Sequence, residues 1–286
     1  MAWSRTWYSA WPQAITQAAA AGLLTRAWQL LDRQALFLDG QRYWVDLRAT
    51  GQIVLAAAAN AHDQAAQGWT HLIIGRDGTL AGAHDQSRAH QLQALDHFRR
   101  AGDLPGQAWA LLLADFACAW KGDWAEAGPL AEQALALFWQ TGDHAGQGWA
   151  LAGLGHYHVR LGNYDLARGH ARQALEVTPQ DGDPAILAFA GDALGLVHSG
   201  LGEPSQAINC YRRALDLVRE RKDPLARGIR VGLLTDFGDA CRAAGDLAAA
   251  AEAWRQAQQI LRDLGLPENP EIRAWLTQAG LPNPPG

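Results

Sequence analysis

Apolar residues recur along this chain with the 3.6-residue period of an α-helix, in segments of about 15 residues separated by polar loops rich in Gly, Asp and Pro. Alternating apolar and polar residues are not sustained anywhere. Alanine and leucine also dominate over valine and isoleucine, which disfavours β-strands. The pattern therefore predicts an all-α chain built from antiparallel helical hairpins.

Two markers repeat along the chain at an interval of about 40 residues. The glycines fall in the middle of successive hairpins and the aspartates at their ends: Gly82, Gly122, Gly162, Gly202 and Gly245, and Asp63, Asp103, Asp143, Asp183 and Asp223. Small residues in the second helix, such as Ala167 and Ala174, share one face and let the paired helices approach closely. Single hairpins cannot bury their apolar faces alone, so we expect a continuous solenoid.

We expect this solenoid to cover residues 1–286 and to consist of an N-terminal cap, a degenerate hairpin, five repeats, and a C-terminal cap helix with a tail. The bounds are, in that order, 1–25, 26–63, 64–103, 104–143, 144–183, 184–225, 226–266 and 267–286. The N-terminal cap carries Trp3, Trp7 and Trp11 on one helical stripe, which we expect Pro12 to end. This segment either covers the first hairpin or folds over a binding groove as a lid.

Charge, cysteine content and hydropathy indicate which partners and which cellular compartment to expect. The formal net charge is −5, without a long run of like charges, which argues against nucleic acid or an anionic membrane as the main partner. The three cysteines, Cys118, Cys210 and Cys241, are widely spaced in apolar helical contexts, so we expect reduced, buried thiols. The N-terminus lacks a basic segment followed by an apolar run, and no apolar stretch reaches the roughly 20 residues of a membrane span. We expect a cytoplasmic protein.

The repeats resemble tetratricopeptide repeats (TPR). The third repeat carries small, aromatic and terminating residues at that family's spacings: Gly155, Gly162, Tyr164, Ala167, Ala174 and Pro179. The resemblance implies a right-handed superhelical solenoid whose first helices line a concave inner surface. The period is longer than the family's usual length of about 34 residues.

The long period, together with the phrase "GDACRAAGDLAAAAEAWRQAQQILRDLG", is similar to the repeat regions of actinobacterial AfsR-type and MalT-like regulators. Such regulators place a DNA-binding domain and an ATPase module upstream of their repeats. Neither a GxxxxGK[ST] phosphate loop nor a recognition helix with a basic face is evident here. A free-standing relative and a fragment of a longer regulator both remain open.

A helical wheel puts the recurring tryptophans on the face of the first helix opposite the residues that pack on the second helix. With their neighbours on that stripe they form our candidate binding groove: Trp69, Arg76, Trp109, Leu113, Phe116, Trp120, Trp149, His156, Arg160, Phe189, Asp192, Asp236 and Asp239. The stripe changes from aromatic in the early repeats to acidic in the fifth. A matching ligand has a hydrophobic body and a cationic group. For Trp69 and Trp149, burial against neighbouring first helices is the alternative.

Motifs that would indicate chemistry are weak. The sequence "DFGD" at 236–239 lacks the glycine-rich loop, lysine and catalytic loop of a kinase. His84, His90 and His97 lack the i, i+4 pairing of a helical zinc site. We therefore assign no catalytic residue, no metal and no cofactor.

These observations favour a non-enzymatic binding protein that captures a peptide or protein partner in an aromatic groove with an acidic C-terminal end. Two alternatives remain open. One is a sensor of a small-molecule effector, belonging to a transcription-regulator family. The other is a biosynthetic enzyme that uses the groove as its active site, with Asp236, Asp239 or His156 as acid or base.

Overall fold

The computed structural model describes residues 3–37, 41–179 and 182–278, and within these ranges the regular structure is entirely α-helical. The helices are α1 (Trp3–Ala20), α2 (Leu24–Phe37), α3 (Gln41–Asn60), α4 (Gln64–Leu80), α5 (His84–Ala101), α6 (Leu104–Lys121), α7 (Trp124–Thr141), α8 (His144–Arg160), α9 (Tyr164–Val177), α10 (Pro184–Gly200), α11 (Pro204–Val218), α12 (Pro224–Ala243), α13 (Leu247–Asp263) and α14 (Pro270–Gln278). Helices α4 to α13 pack in five consecutive antiparallel pairs, so the predicted all-α fold of stacked helical hairpins is confirmed.

The chain divides into two compact units, Met1–Gly142 and Asp143–Gly286. In the first unit, α4 packs on its hairpin partner α5 and on the next first helix, α6. In the second unit, the first helices α8, α10 and α12 are consecutive neighbours, while α9, α11 and α13 pack on them as hairpin partners. This arrangement makes a face of three adjacent first helices, which we call the α8–α10–α12 face.

The Gly-Asp marker has a direct structural explanation. Gly102 adopts a left-handed conformation with φ of 69° and ends α5, while Asp103 begins α6 by accepting a hydrogen bond from the Gly106 amide at 2.9 Å. Aspartate side chains cap α4, α8, α10, α12 and α13 in the same way. The helix N-terminus needs such an acceptor because its first amides lack intrahelical partners.

Close approach within the hairpins depends on a small residue opposite a large one. A Cβ atom placed on Gly195 would collide with the Tyr211 ring, and one on Gly238 would collide with the Trp254 indole. Tyr211 is fully buried, and the Trp254 Nε1 donates to the Thr235 carbonyl at 3.2 Å. These contacts set the separation of α10 from α11 and of α12 from α13, and so the position of the α8–α10–α12 face.

The prediction that Pro12 ends the first helix is wrong. Helix α1 continues through Pro12 to Ala20, and the Thr16 hydroxyl donates to the Pro12 carbonyl at 2.7 Å. Proline removes one backbone donor, but the residues after it still bury Ile15 against the helices that α1 contacts, α2 and α3. The side chains of Trp3 and Trp7 lie outside the described residues.

Two further expectations concern the thiols and the membrane. Cys118 and Cys241 are buried free thiols, whereas Cys210 is only half-buried. Burial raises the pKa of all three thiols. None of the helices in the described ranges is long and apolar enough to cross a membrane.

Candidate functional site

The predicted site residues fall on first helices of both units. Those of the first unit lie on α4 and α6: Trp69, Arg76, Trp109, Leu113, Phe116 and Trp120. Those of the second unit lie on α8, α10 and α12: Trp149, His156, Arg160, Phe189, Asp192, Asp236 and Asp239. The two sets have different surroundings and are described in turn.

In the first unit, both tryptophans pack on a phenylalanine from the second helix of their own hairpin, and Trp69 also packs on α2. Trp69 stacks on Trp28 and meets the edge of Phe98, both with ring centroids 5.2 Å apart. Trp109 meets the edge of Phe138 at 5.2 Å. The helical wheel placed these indoles on the face away from the hairpin partner. A wheel gives only the angle of each side chain around its helix, and an indole is long enough to contact a neighbouring helix from that angle. Packing on the hairpin partner, and for Trp69 on α2 as well, therefore covers part of each indole.

A sequence signal for these partners existed. Phe98 and Phe138 are 40 residues apart and stand at the same place in successive second helices. The corresponding residue of the third repeat is Thr178, which offers no ring. Trp149 instead lies near Phe189 of the neighbouring first helix, with ring centroids 5.7 Å apart, and is 7% exposed.

Arg76 has intramolecular partners that the sequence stripe did not reveal. Its guanidinium lies 2.9 Å from Asp32 of α2 and 3.5 Å from Asp77 of its own helix. Burial raises the pKa of Asp77, while the Arg76 charge opposes that shift. Arg76 therefore joins α4 to α2, and its charge is balanced within the first unit.

The remaining residues of this set differ in exposure. Leu113 and Phe116 are half-buried, and the side chain of Trp120 is exposed. The Trp120 ring lies 6.3 Å from the His84 ring of α5. Of the predicted aromatic stripe, Trp120 is the member that presents the largest accessible surface.

In the second unit, the structure brings the predicted polar residues together on the α8–α10–α12 face. His156 and Arg160 come from α8, Asp192 from α10, and Asp236 from α12. The Nε2 atom of His156 lies 3.6 Å from Asp192 Oδ2, and the charges of Arg160 and Asp236 both act on Asp192. With Phe189 and Asp239, these residues form what we call the first-helix cluster.

His156 is held as a neutral, buried ring. It stacks on Phe189 with centroids 4.2 Å apart, and its Nε2 lies 3.2 Å from the Phe189 carbonyl oxygen, to which it donates. Burial lowers the pKa of His156 to about 4, and the hydrogen bond to Phe189 offsets only part of that shift. The imidazole N–H is thus committed to the backbone, and the ring supplies no positive charge to Asp192 near neutral pH.

Asp192 is a buried carboxyl group that lacks a full set of donors. It is 6% exposed, and its Oδ1 atom is buried without a hydrogen-bond partner. Burial raises its pKa well above the usual range, and the negative charge of Asp236 acts in the same direction. The first-helix cluster therefore contains an acceptor that nothing within the described protein satisfies.

Asp236 adds a second carboxyl group beside the first. Burial raises its pKa to about 7, the charge of Asp239 contributes to the rise, and the charge of Arg160 opposes it. Asp239 is about half exposed and lies 3.7 Å from Arg242 of its own helix. The carboxyl groups thus run from a buried one to an exposed one, an arrangement suited to holding a positively charged group. No set of three or more His, Cys, Asp or Glu within the described ranges could hold a metal ion.

Two segments of the chain match a known repeat family. Tetratricopeptide-repeat models match residues 106–180 and 192–225. These two segments are tetratricopeptide repeats. They span α6 to α9, the second half of α10, and α11, and so include His156 and Asp192 of the first-helix cluster. No protein with curated annotation matches the sequence.

Solved structures extend the TPR comparison over most of the chain. A Rap protein complexed with competence and sporulation factor has a TM-score of 0.61 and 14% identity, covering 95% of this chain and 79% of that one. The apo form of RapI has a TM-score of 0.57 and 12% identity, covering 78% and 93%. BtubC from P. vanneervenii has a TM-score of 0.55 and 20% identity, covering 78% and 92%. At these identities the likeness shows the fold, a TPR-type solenoid of helical hairpins.

Proposed function

We propose that this chain is a non-enzymatic binding protein that captures a peptide or protein partner on the α8–α10–α12 face. The observation that carries the proposal is Asp192, whose buried Oδ1 has no hydrogen-bond partner in the part of the chain that the structure describes. Leaving a buried acceptor unpaired costs about 1–3 kcal/mol. A donor on a bound partner removes that cost, so the unbound protein is already arranged for a ligand.

The surroundings of Asp192 support a partner with both apolar and charged parts. Phe189 is half-buried next to Trp149 and His156, so aromatic surface lies beside the carboxyl groups. Aromatic residues beside a few directed polar groups are typical of sites that bind peptides and ligands tightly.

The comparisons are consistent with a binding role. The similar Rap structure is a complex with competence and sporulation factor, so a protein of this fold carries a bound partner there. The likeness of the repeats to those of actinobacterial AfsR-type and MalT-like regulators suggests that binding serves regulation. We infer a regulatory binding module, with a small-molecule effector as the alternative ligand.

A displayed random-peptide library, selected on the full chain, tests this proposal. We expect selected peptides to lose at least about tenfold in affinity for Asp239→Arg, because the reversed charge repels a cationic partner. The matched control is Asp165→Arg on the second helix α9, where the side chain is 98% exposed and lies off the proposed face. Isothermal titration calorimetry measures both variants.

Equal binding by wild type and Asp239→Arg, or failure to select any peptide, would contradict the proposal. Native mass spectrometry of the purified protein separates the small-molecule alternative. A co-purifying compound that is lost in Asp239→Arg and kept in Asp165→Arg would place an effector, rather than a peptide, on this face.

A further inference from the structure

We propose that Asp192 and Asp236 form a subsite for an organic cation with N–H donors, an ammonium or guanidinium group of the ligand, and that the two carboxyl groups release a shared proton when it binds. The inference rests on the proposed function and specifies the ligand chemistry of the same face. It goes beyond charge complementarity because ligand binding is coupled to the release of a proton.

The geometry leaves an acceptor open at Asp192. Its Oδ1 is buried and unpaired, and its Oδ2 has His156 Nε2 at 3.6 Å, beyond ordinary hydrogen-bond length. The imidazole N–H already donates to the Phe189 carbonyl. Among the described residues of this unit, therefore, no donor satisfies either oxygen of Asp192 well.

The charges around the pair explain why a proton is shared in the free protein. Helix α8 contributes neutral His156 and the cation of Arg160, while α12 contributes Asp236 and Asp239. Helix α11 contributes Tyr211, whose phenol lies 3.3 Å from the Ser199 hydroxyl and whose pKa burial raises far above neutral pH. Arg160 is exposed and its charge does not overcome burial, since the pKa of Asp236 still rises to about 7. Two neighbouring carboxyl groups in such a site do not both ionise readily.

The proton balance follows from this state. Before binding, one carboxyl group of the pair is protonated and the other carries the charge. A cation that donates to both carboxylates stabilises the doubly ionised form, so one proton passes to solvent as the complex forms. The ligand keeps its own charge and no covalent bond changes.

Three short probes test the inference: N-acetyl-Phe-Arg-amide, N-acetyl-Phe-Lys-amide and the uncharged isostere N-acetyl-Phe-citrulline-amide. Because the bound pair lacks a proton that the free pair holds, affinity for a cationic probe should rise at least about tenfold from about pH 6 to about pH 8. Calorimetry near pH 7 in two buffers of different ionisation enthalpy should show release of at least about one proton per bound ligand, because the free pair holds a proton that the bound pair lacks. The citrulline probe should bind at least about tenfold more weakly at pH 8, with no proton release. The ratio between the Arg and Lys probes identifies which cation the site prefers.

Variants make the assignment specific. Asp192→Asn should abolish the preference for the cationic probes and the proton release. The matched control is Asp115→Asn on α6, because Asp115 is also buried, at 3% exposure, with an oxygen that has no hydrogen-bond partner. If Asp192→Asn does not fold, half-buried Asp236→Asn serves instead and should weaken binding of the cationic probes at least about tenfold at pH 8, because one of the two carboxylates is removed.

Two results would overturn the inference: cationic and citrulline probes that bind wild type equally, or cation binding without proton release. Absence of binding by every probe up to millimolar concentration would also overturn it. Failure here is distinct from failure of the proposed function. Selected peptides that still depend on Asp239 but carry no required Lys or Arg would leave the proposed function standing and the cation subsite refuted.

Discussion

At the scale of single residues, one loop position in a left-handed conformation carries a residue other than the glycine that other repeats have there. The loop before Asp103 uses Gly102 at φ of 69°, and the loop before Asp143 uses Gly142 at 71°. The corresponding residue before Asp63 is His62, at φ of 55°. A residue with a Cβ pays a steric cost of about 1–2 kcal/mol in this left-handed region, whereas glycine does not.

His62→Gly should therefore stabilise the protein, by about 1 kcal/mol or less once the greater freedom of glycine in the unfolded chain is counted. Urea unfolding of the full chain measures the change. Gly102→Ala is the reciprocal control, because among the described residues no atom beyond the adjoining ones lies within 4 Å of the added Cβ, so the substitution reports backbone strain. It should lower stability by about 1 kcal/mol. A loss of stability in His62→Gly would show that the imidazole makes contacts worth more than the strain.

At the scale of elements, the packing of α4 on α5 includes three histidines that stay neutral. The Nδ1 atoms of His71 and His90 lie 2.9 Å apart, and the rings of His71 and His97 stack with centroids 5.6 Å apart. Burial lowers the pKa of His71 to about 3, and the charges of its two histidine neighbours add to the shift. Burial and nearby Arg48 lower the pKa of His90, while burial and Arg100 outweigh Asp96 in lowering that of His97.

This trio should make the first unit less stable in mild acid. The folded pKa of His71, about 3, lies below the unfolded value of about 6.5, so the unfolded chain binds more protons between those values. The contribution of neutral His71 to the free energy of unfolding is fully present above about pH 6.5 and is lost as the pH falls towards 3. At pH 5 the loss is on the order of 1–2 kcal/mol. Urea unfolding of wild type and His71→Gln from pH 7.5 to 5 measures it. The variant should show the shallower pH dependence, and parallel profiles would contradict the account.

The positions of the helices can be predicted from the sequence, whereas several contacts between helices cannot. The positions of the hairpins follow from the spacing of Gly and Asp because these residues act locally, as helix caps and left-handed turns. The ion pair from Arg76 to Asp32 could not be found this way, since it joins residues 44 apart across separate helices. Likewise, the helical wheel included Asp192 because of the face of α10 on which it lies. Its burial could not be predicted in this way, since burial depends on how α8 and α12 pack on either side of α10.

At the scale of the whole molecule, the two units use the same hairpin for different purposes. In the first unit, the recurring indoles and Arg76 are largely occupied by partners within the unit. In the second unit, Thr178 replaces the ring that would hold Trp149, and the first helices α10 and α12 bring carboxyl groups together on the face that carries Phe189. We therefore assign binding to the α8–α10–α12 face and structural roles to Trp69 and Trp109.

Hydrogen–deuterium exchange of the full chain, with and without a saturating selected peptide, tests that assignment most directly. Amides made less mobile by a bound partner exchange more slowly, and peptide-level exchange separates first from second helices. We expect slower exchange in α8, α10 and α12, with α9, α11 and α13 little changed. Protection concentrated in α9, α11 and α13, or in α4 and α6 of the first unit, would contradict it.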